Sequence, residues 1–292
     1  MVTGGAGQLA TAMAQEGGAV VRRVGRPVFD FDRPASIAET VQALRPAFLV
    51  NAAAWTEVDA AEADPDAAGR ANRDGPATLA ALCADAGIPL IHISTDYVFD
   101  GSKGAPYIET DPTNPTGVYG VTKLEGEQAV LAACPRAVVL RPSWVYSAAG
   151  KNFVRTMLGA ALKTDRLRVV ADQRGCPTAA RDLAVAVLAI VARLREGWDD
   201  RYAGVFHVAG TGSTTWHGFA EAVFQEAARY GHPTPTVEPI ATAEWPTPTQ
   251  RPADSRLDCA KLSQVFDIRL PEWRSSLSRT VAELLAAAPP GR

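Results

Sequence analysis

An α/β fold, with a doubly wound parallel sheet and a smaller mixed α/β lobe, is what this sequence predicts, and three observations carry that reading. Short apolar runs alternate with helix-period stretches through the first half of the chain, the pattern of a parallel sheet covered by helices on both faces. A glycine turn, Gly4-Gly5-Ala6-Gly7-Gln8-Leu9-Ala10, stands near the start. Further on, Tyr119-Gly-Val-Thr-Lys123 sets a Tyr and a Lys one helical turn apart on one face, downstream of Ile93-Ser94-Thr95-Asp96-Tyr97.

The elements follow in order. Only Met1-Val2-Thr3 precede Gly4, where such a turn normally follows a buried strand of about five residues. The first strand is therefore expected to be very short, or the translation start to lie a few codons late. Strands are expected at Ala19–Val24, Ala47–Val50, Pro89–Ile93 and Ala137–Leu140, and helices at Ile37–Leu44, Ala67–Ala86 and Thr116–Ala133. Gly87 is the expected C′ residue between the second of these helices and the Pro89 strand. The second half is less regular. Helices are expected at Phe153–Leu162, Arg181–Arg195, Trp216–Tyr230 and Thr280–Ala288, with a late strand at Gly204–Ala209. The proline-rich stretch Pro233–Pro252 reads as extended and loop-like, and Pro289–Arg292 as a frayed tail. Residues 1–145, completed by about 180–210, form the expected Rossmann-like nucleotide-binding domain; 146–179 and 211–292 form the expected substrate-binding lobe.

Bulk properties narrow the class. The 292 residues suffice for one large domain, or a large one with a small one, and 47% hydrophobic with 21% charged residues is ordinary globular composition. A net charge of −3 without a basic block argues against nucleic acid as a partner. Apolar runs such as Leu183–Ala192 fall far short of the roughly 20 residues a membrane span needs. No targeting segment is visible. Cys83, Cys134, Cys176 and Cys259 are scattered, without metal-ligand spacing, and read as reduced thiols in a cytoplasmic protein, with no metal expected.

The ordered set of motifs implies nicotinamide-dependent redox chemistry on a carbonyl or alcohol. Gly4 and Gly7, with Ala10 as the third small position and Gln8 and Leu9 opening the helix, allow close backbone approach to a pyrophosphate at a helix N-terminus. No acid ends the second strand, Arg22-Arg23-Val24-Gly25-Arg26. Arg26 or Arg23 is thus a candidate for a 2′-phosphate and NADPH preference, against a merely solvated charge. Asp30 and Phe31 could cover the adenine. Ala52 and Ala53, in the small-residue run after the Ala47–Val50 strand, let a flat cofactor lie on the backbone at a strand C-terminus, and Val58 and Asp59 follow at the mouth of that crevice. Tyr119 is the expected proton donor. A free Tyr has a pKa of about 10, and Lys123 lowers it while also reaching the nicotinamide ribose. A hydroxyl from Thr95 or from Ser94 would orient the substrate oxygen.

The chain resembles the extended short-chain dehydrogenase/reductase family and, within it, the dTDP-4-dehydrorhamnose reductases. The resemblance covers nearly the whole length, through Gly4–Ala10, Asn51–Glu62, Ser94–Gly101 (STDYVFDG), Tyr119–Glu127 (YGVTKLEGE), Arg141–Tyr146 (RPSWVY), Asp172–Asp182 (DQRGCPTAARD), Gly204–Phe219 and Arg251–Asp258. It implies a catalytic Thr95, Tyr119 and Lys123, with Thr95 chosen over Ser94, and a substrate pocket of Val58, Asp59, Tyr97 and Trp144. Trp144 by itself reads rather as core or interdomain packing, and for Arg251, suited to an anionic diphosphate, a structural ion pair is the alternative. The implied reaction is NADPH-dependent reduction, with NADH also usable, of dTDP-4-dehydro-β-L-rhamnose. The alternatives are another nucleotide-linked 4-keto-6-deoxysugar, or a non-catalytic NADP-binding regulatory subunit of the same fold. A dehydratase would place an acid pair after Thr95, whereas Asp96 is followed by Tyr97. Some members are homodimers bridged by magnesium. The resemblance leaves both open here, with Glu16, Glu196, Asp199 and Asp200 the acids of the corresponding regions.

Overall fold

The computed structural model describes residues 1–286. Four parallel strands form the centre of the main sheet, in the order Leu49–Asn51, Leu90–Ile93, Ala137–Arg141 and Gly204–His207. Val2 extends this sheet through parallel bridges to Val50 on one side and Arg23 on the other. The chain thus steps outward from Val2 to Arg23, then returns across Val2 to the Leu49 strand. That reversal is a topological switch point, and Gly4 and Ala52 lie at its C-terminal edge, where open α/β sheets bind ligands.

The side-chain alternation of strands gives each face its own core. Val50, Ile91, Val138, Leu140 and Phe206 pack against Leu9 and Met13 of the Gln8–Gly17 helix and Leu183, Val187 and Ile190 of the Ala180–Glu196 helix. Leu49, Leu90 and Val139 pack the other way, against Ile37 and Val41 of Pro34–Leu44, Leu79 and Cys83 of Gly75–Asp85, and Val130 of Val118–Ala133. A separate core holds Phe153–Ala161, Trp216–Ala228 and Trp273–Ala286 together around Phe219, over a parallel pair of Arg166–Val170 with Thr236–Ile240.

Several expectations are corrected. Ala19–Val24 is not a strand: Gly18–Val20 is a 3-10 turn, and pairing is confined to Arg23, because the segment it faces offers only Val2. Ala67–Ala86 is interrupted. Pro65–Gly69 runs into a π turn, Arg70–Asp74, before Gly75–Asp85 resumes the α-helix. Pro233–Pro252 is not loop throughout, since Thr236–Ile240 is a strand; its partner makes it one edge of a two-stranded sheet, where a proline such as Pro239 is tolerated. The last helix starts at Trp273 rather than Thr280. Its expected end at Ala288, and the tail from Pro289, lie outside the described residues.

Candidate active site

The glycine turn is shaped by close approach. Gly4 has φ +100°, and a Cβ there would stand 2.9 Å from the Ala52 carbonyl oxygen. Gly25 packs on Gly5 so tightly that a Cβ would stand 2.5 Å from the Gly5 Cα, and the Gly5 N–H donates to Val24 O at 2.8 Å. Gly5 and Gly25 are contributors the motif did not single out; the Gly25 after the Arg22–Val24 run was the available signal. Gly7 caps the Gln8–Gly17 helix with no side-chain hydrogen bond, which leaves its first-turn N–H groups without a capping side chain, and Gly4, just before it, packs on Ala52 and Ala53. Orphan helix N–H groups next to a backbone cradle that a side chain would fill are what a dinucleotide pyrophosphate requires, so these residues fit a nicotinamide dinucleotide. Gln8 also accepts from Ser147 at 2.9 Å, and Leu9 is buried in the core.

In the region expected to meet the adenosine, Arg26 donates to Asp30 at 2.9 Å and to Asp32 at 2.7 Å, and Arg70 donates to Asp32 at 3.0 Å. Two guanidinium groups therefore converge on one carboxylate. Asp32 and Arg70 had no sequence signal, because 38 positions separate them. Arg23 instead donates to Thr11. Phe31 lies against Gly75.

The three catalytic candidates meet at the end of the Leu90–Ile93 strand. Tyr119, Lys123 and Glu127 recur every fourth residue along the buried face of Val118–Ala133. The Tyr119 phenol is buried, which raises its pKa above the usual phenol range instead of the lowering expected from Lys123, and the nearby Thr95 hydroxyl opposes that rise. Lys123 is 1% exposed and donates to the Ile93 carbonyl at 2.6 Å. Burial lowers its pKa to about 8, against the attraction of Glu127. Thr95 also bonds Asp96 and accepts from the Tyr97 N–H, both at 3.2 Å. Ser94 is committed elsewhere: its hydroxyl donates to Glu127, which Arg141 holds through Nε at 2.8 Å and Nη2 at 2.6 Å. The Ser94 hydroxyl is thus engaged by a carboxylate, while the Thr95 hydroxyl lies near the Tyr119 phenol. Asp96 is buried, which pushes its pKa up to about 6 although Ser255, Ser143 and Thr95 hydrogen-bond to it.

The expected substrate residues are divided into two groups. Arg251 Nη1 donates to the Tyr97 hydroxyl at 3.0 Å and Nη2 pairs with Asp59 at 2.8 Å, while the Tyr97 ring meets the Tyr119 ring edge-on at 5.5 Å. Thr249 donates to the Val58 carbonyl at 3.2 Å, so Val58 lies beside this chain of contacts. Trp144 stands apart, stacked on Trp216 at 3.5 Å over Gly175. Its φ is +47°, a strained value for a bulky residue of the sort that concentrates at functional sites. Asn72, in the π turn, accepts from the Trp55 N–H at 2.8 Å and donates to Thr122 at 3.1 Å, tying the Ala52–Trp55 run to the Val118–Ala133 helix. A groove of about 720 Å³ on the opposite face of that helix, lined by Glu62, Arg70, Arg73 and Glu125, contains none of the three catalytic candidates.

Acids in the regions tied to magnesium are engaged by arginines: Glu16 by Arg181, Glu196 by Arg193 and Asp199 by Arg201. Among the described residues no group of three His, Cys, Asp or Glu side chains could hold a metal ion, and no helix is long and apolar enough to cross a membrane.

Comparison with known proteins agrees with this geometry. The sequence model of the RmlD substrate binding domain matches residues 1–286. The chain is 46% identical over 286 residues to a dTDP-4-dehydrorhamnose reductase from Sinorhizobium fredii, covering 97% of each, and 41% identical over 257 residues to that of Escherichia coli, covering 87% of this chain and 85% of the relative. Crystal structures of dTDP-4-dehydrorhamnose reductases superpose closely. That from Clostridium acetobutylicum has a TM-score of 0.88 at 35% identity, and that from Bacillus anthracis, in complex with NADP, 0.89 at 31%, each covering 97% of this chain and 98% of its own. A Thermus thermophilus UDP-glucose 4-epimerase at 20% identity and a TM-score of 0.79, covering 99% of each chain, shares the fold. The chain belongs to the dTDP-4-dehydrorhamnose reductase family.

Proposed function

We propose that this enzyme reduces dTDP-4-dehydro-β-L-rhamnose to dTDP-β-L-rhamnose with NADPH, in the cytoplasm. The observation that carries the reading is the convergence of Thr95, Tyr119 and Lys123 at the strand end beside the Gly4–Ala52 cradle. The names of the relatives supply the substrate, and the NADP held by the Bacillus anthracis structure supplies the cofactor.

A bound reduced nicotinamide supplies the hydride for C4 of the sugar. Tyr119 gives its phenolic proton to the oxygen as negative charge develops there, so the carbonyl becomes an alcohol and the phenol a phenolate. Lys123 stabilises that phenolate while it remains cationic. Thr95 orients the carbonyl oxygen by hydrogen bonding, a contact that strengthens in the transition state. Tyr97, Asp59 and Arg251 line the sugar side, with Arg251 available to a diphosphate oxygen once substrate displaces part of its pairing. Trp144 walls the deoxysugar from the second lobe, residues 146–179 and 211–292, which we assign to substrate binding. Arg26, with Arg70 beside it, takes the 2′-phosphate. A homodimer is carried over from the family, and sedimentation velocity tests it.

The test is NADPH oxidation with enzymatically prepared dTDP-4-dehydro-L-rhamnose, followed by NMR of the product. Formation of dTDP-L-rhamnose supports the reading. A different C4 epimer transfers the enzyme to another keto-sugar, and no turnover contradicts the activity.

A further inference from the structure

Among the described residues Lys123 makes no hydrogen bond to another side chain, its Nζ donating to the Ile93 carbonyl instead, yet in the proposed reaction it must stay cationic while 1% exposed. A buried ammonium costs several kcal/mol unless opposite charge lies near. The charged or titratable groups facing it are few. On its own helix Glu127 attracts it. From the neighbouring strand His92 faces it, held neutral by burial and by Lys123 itself. Arg141, on the next strand, lies behind Glu127 and is neutralised by it.

Glu127 does more than supply charge. Its Oε1 accepts from the Ser94 hydroxyl. Ser94 sits between Ile93, whose carbonyl holds Lys123, and Thr95, whose hydroxyl meets Tyr119. One carboxylate thus fastens the strand end that carries Thr95 to the helix that carries Tyr119 and Lys123. The Arg141 fork fixes that carboxylate in turn, at 2% exposure for Glu127 and 4% for Arg141. A bidentate pair locks orientation as well as charge.

We propose that Glu127, anchored by Arg141 and bonded to Ser94, is a positioning residue that sets the Thr95–Tyr119–Lys123 geometry and keeps Lys123 cationic. This rests on the reductase reading, because it assigns Glu127 a part in that chemistry. The two contributions separate by variant. Glu127→Gln keeps an amide oxygen for Ser94 but removes the charge. Ser94→Ala keeps the charge but removes the tie. Because Glu127→Gln leaves Arg141 buried and unpaired, a double variant, Glu127→Leu with Arg141→Met, removes both charges together; such replacements often fold.

The experiment is a pH profile of kcat and KM for each variant, together with a ¹³C NMR titration of Lys123 in the ligand-free protein. Lys123 works protonated, so kcat should fall as pH rises through its pKa. Loss of the Glu127 charge should move that fall, and the Lys123 titration, down by about one to two pH units, in Glu127→Gln or in the double variant. Ser94→Ala should leave the titration in place and lower kcat by about 10- to 100-fold with little change in KM. Wild-type titration and kcat in all of these variants would overturn the proposal. A wild-type protein that fails to reduce the keto-sugar contradicts the reductase reading instead. In that case an unmoved Lys123 titration in Glu127→Gln and the double variant still refutes the electrostatic role, and a moved one supports it.

Discussion

In the proposed reaction Tyr119 must hold its proton until the substrate oxygen takes it. Burial raises the phenol, so at neutral pH it is the acid form that meets the substrate oxygen. Tyr119→Phe should therefore cost about 10²- to 10⁴-fold in kcat and leave NADPH affinity nearly unchanged, since the ring and its packing on Tyr97 persist; fluorescence titration and steady-state kinetics check both. Lys123→Met should weaken NADPH binding and turnover together, because in the proposed reaction the same ammonium serves the ribose and the phenolate. If Arg26 and Arg70, which share Asp32, hold the 2′-phosphate as proposed, Arg26→Ala should lower kcat/KM for NADPH by about tenfold, the scale of one lost charge-assisted contact, with little effect for NADH. An unchanged ratio would remove Arg26 from the phosphate site. The residue types of this site were legible from sequence, because glycine turns and Tyr-x-x-x-Lys are local patterns. Asp32, Arg70, Asn72 and the Ser94–Glu127 tie were not, because each acts through partners far away in the chain.

At the level of elements, the strained Trp144 depends on Gly175 beneath it. A Cβ at Gly175 would stand 2.3 Å from the Trp144 ring. Gly175→Ala should therefore displace the indole, raising KM for the sugar nucleotide several-fold while NADPH binding holds; equal effects on both ligands would show that Trp144 is packing alone. The helices and the central strands were read from periodicity because each buries one stripe or alternate side chains. Ala19–Val24 misled because β-propensity there is real but its pairing partner is a single residue, Val2. The Thr236–Ile240 strand was hidden by Pro235 and Pro239, which an edge strand accommodates. The π turn at Arg70–Asp74 has no composition of its own, and it exists where Asn72 reaches both Trp55 and Thr122.

For the whole molecule, Arg251, which follows the Thr236–Ile240 strand, reaches back to Tyr97 and Asp59 of the first half of the chain. The fold also buries His92 and His207 as neutral rings; burial lowers His207 to about 3 and His92 well below its ordinary value. In the unfolded chain both protonate near pH 6.5. Between that pH and about 3 the unfolded state binds more protons, so these residues make stability fall as pH falls. Asp96, raised to about 6, acts in the opposite sense over the narrower range above 3.8. Urea midpoints should therefore be lower at pH 5 than at pH 7.5, and His207→Asn should flatten that slope. The central claim, hydride delivery to C4 with Tyr119 as the acid, is tested most directly by reducing dTDP-4-dehydro-L-rhamnose with NADPH deuterated at the transferred position. Deuterium at C4 of dTDP-L-rhamnose, formed by the wild type and lost with Tyr119→Phe, is the predicted result. Undeuterated C4 in the product, or full turnover by Tyr119→Phe, would contradict the account.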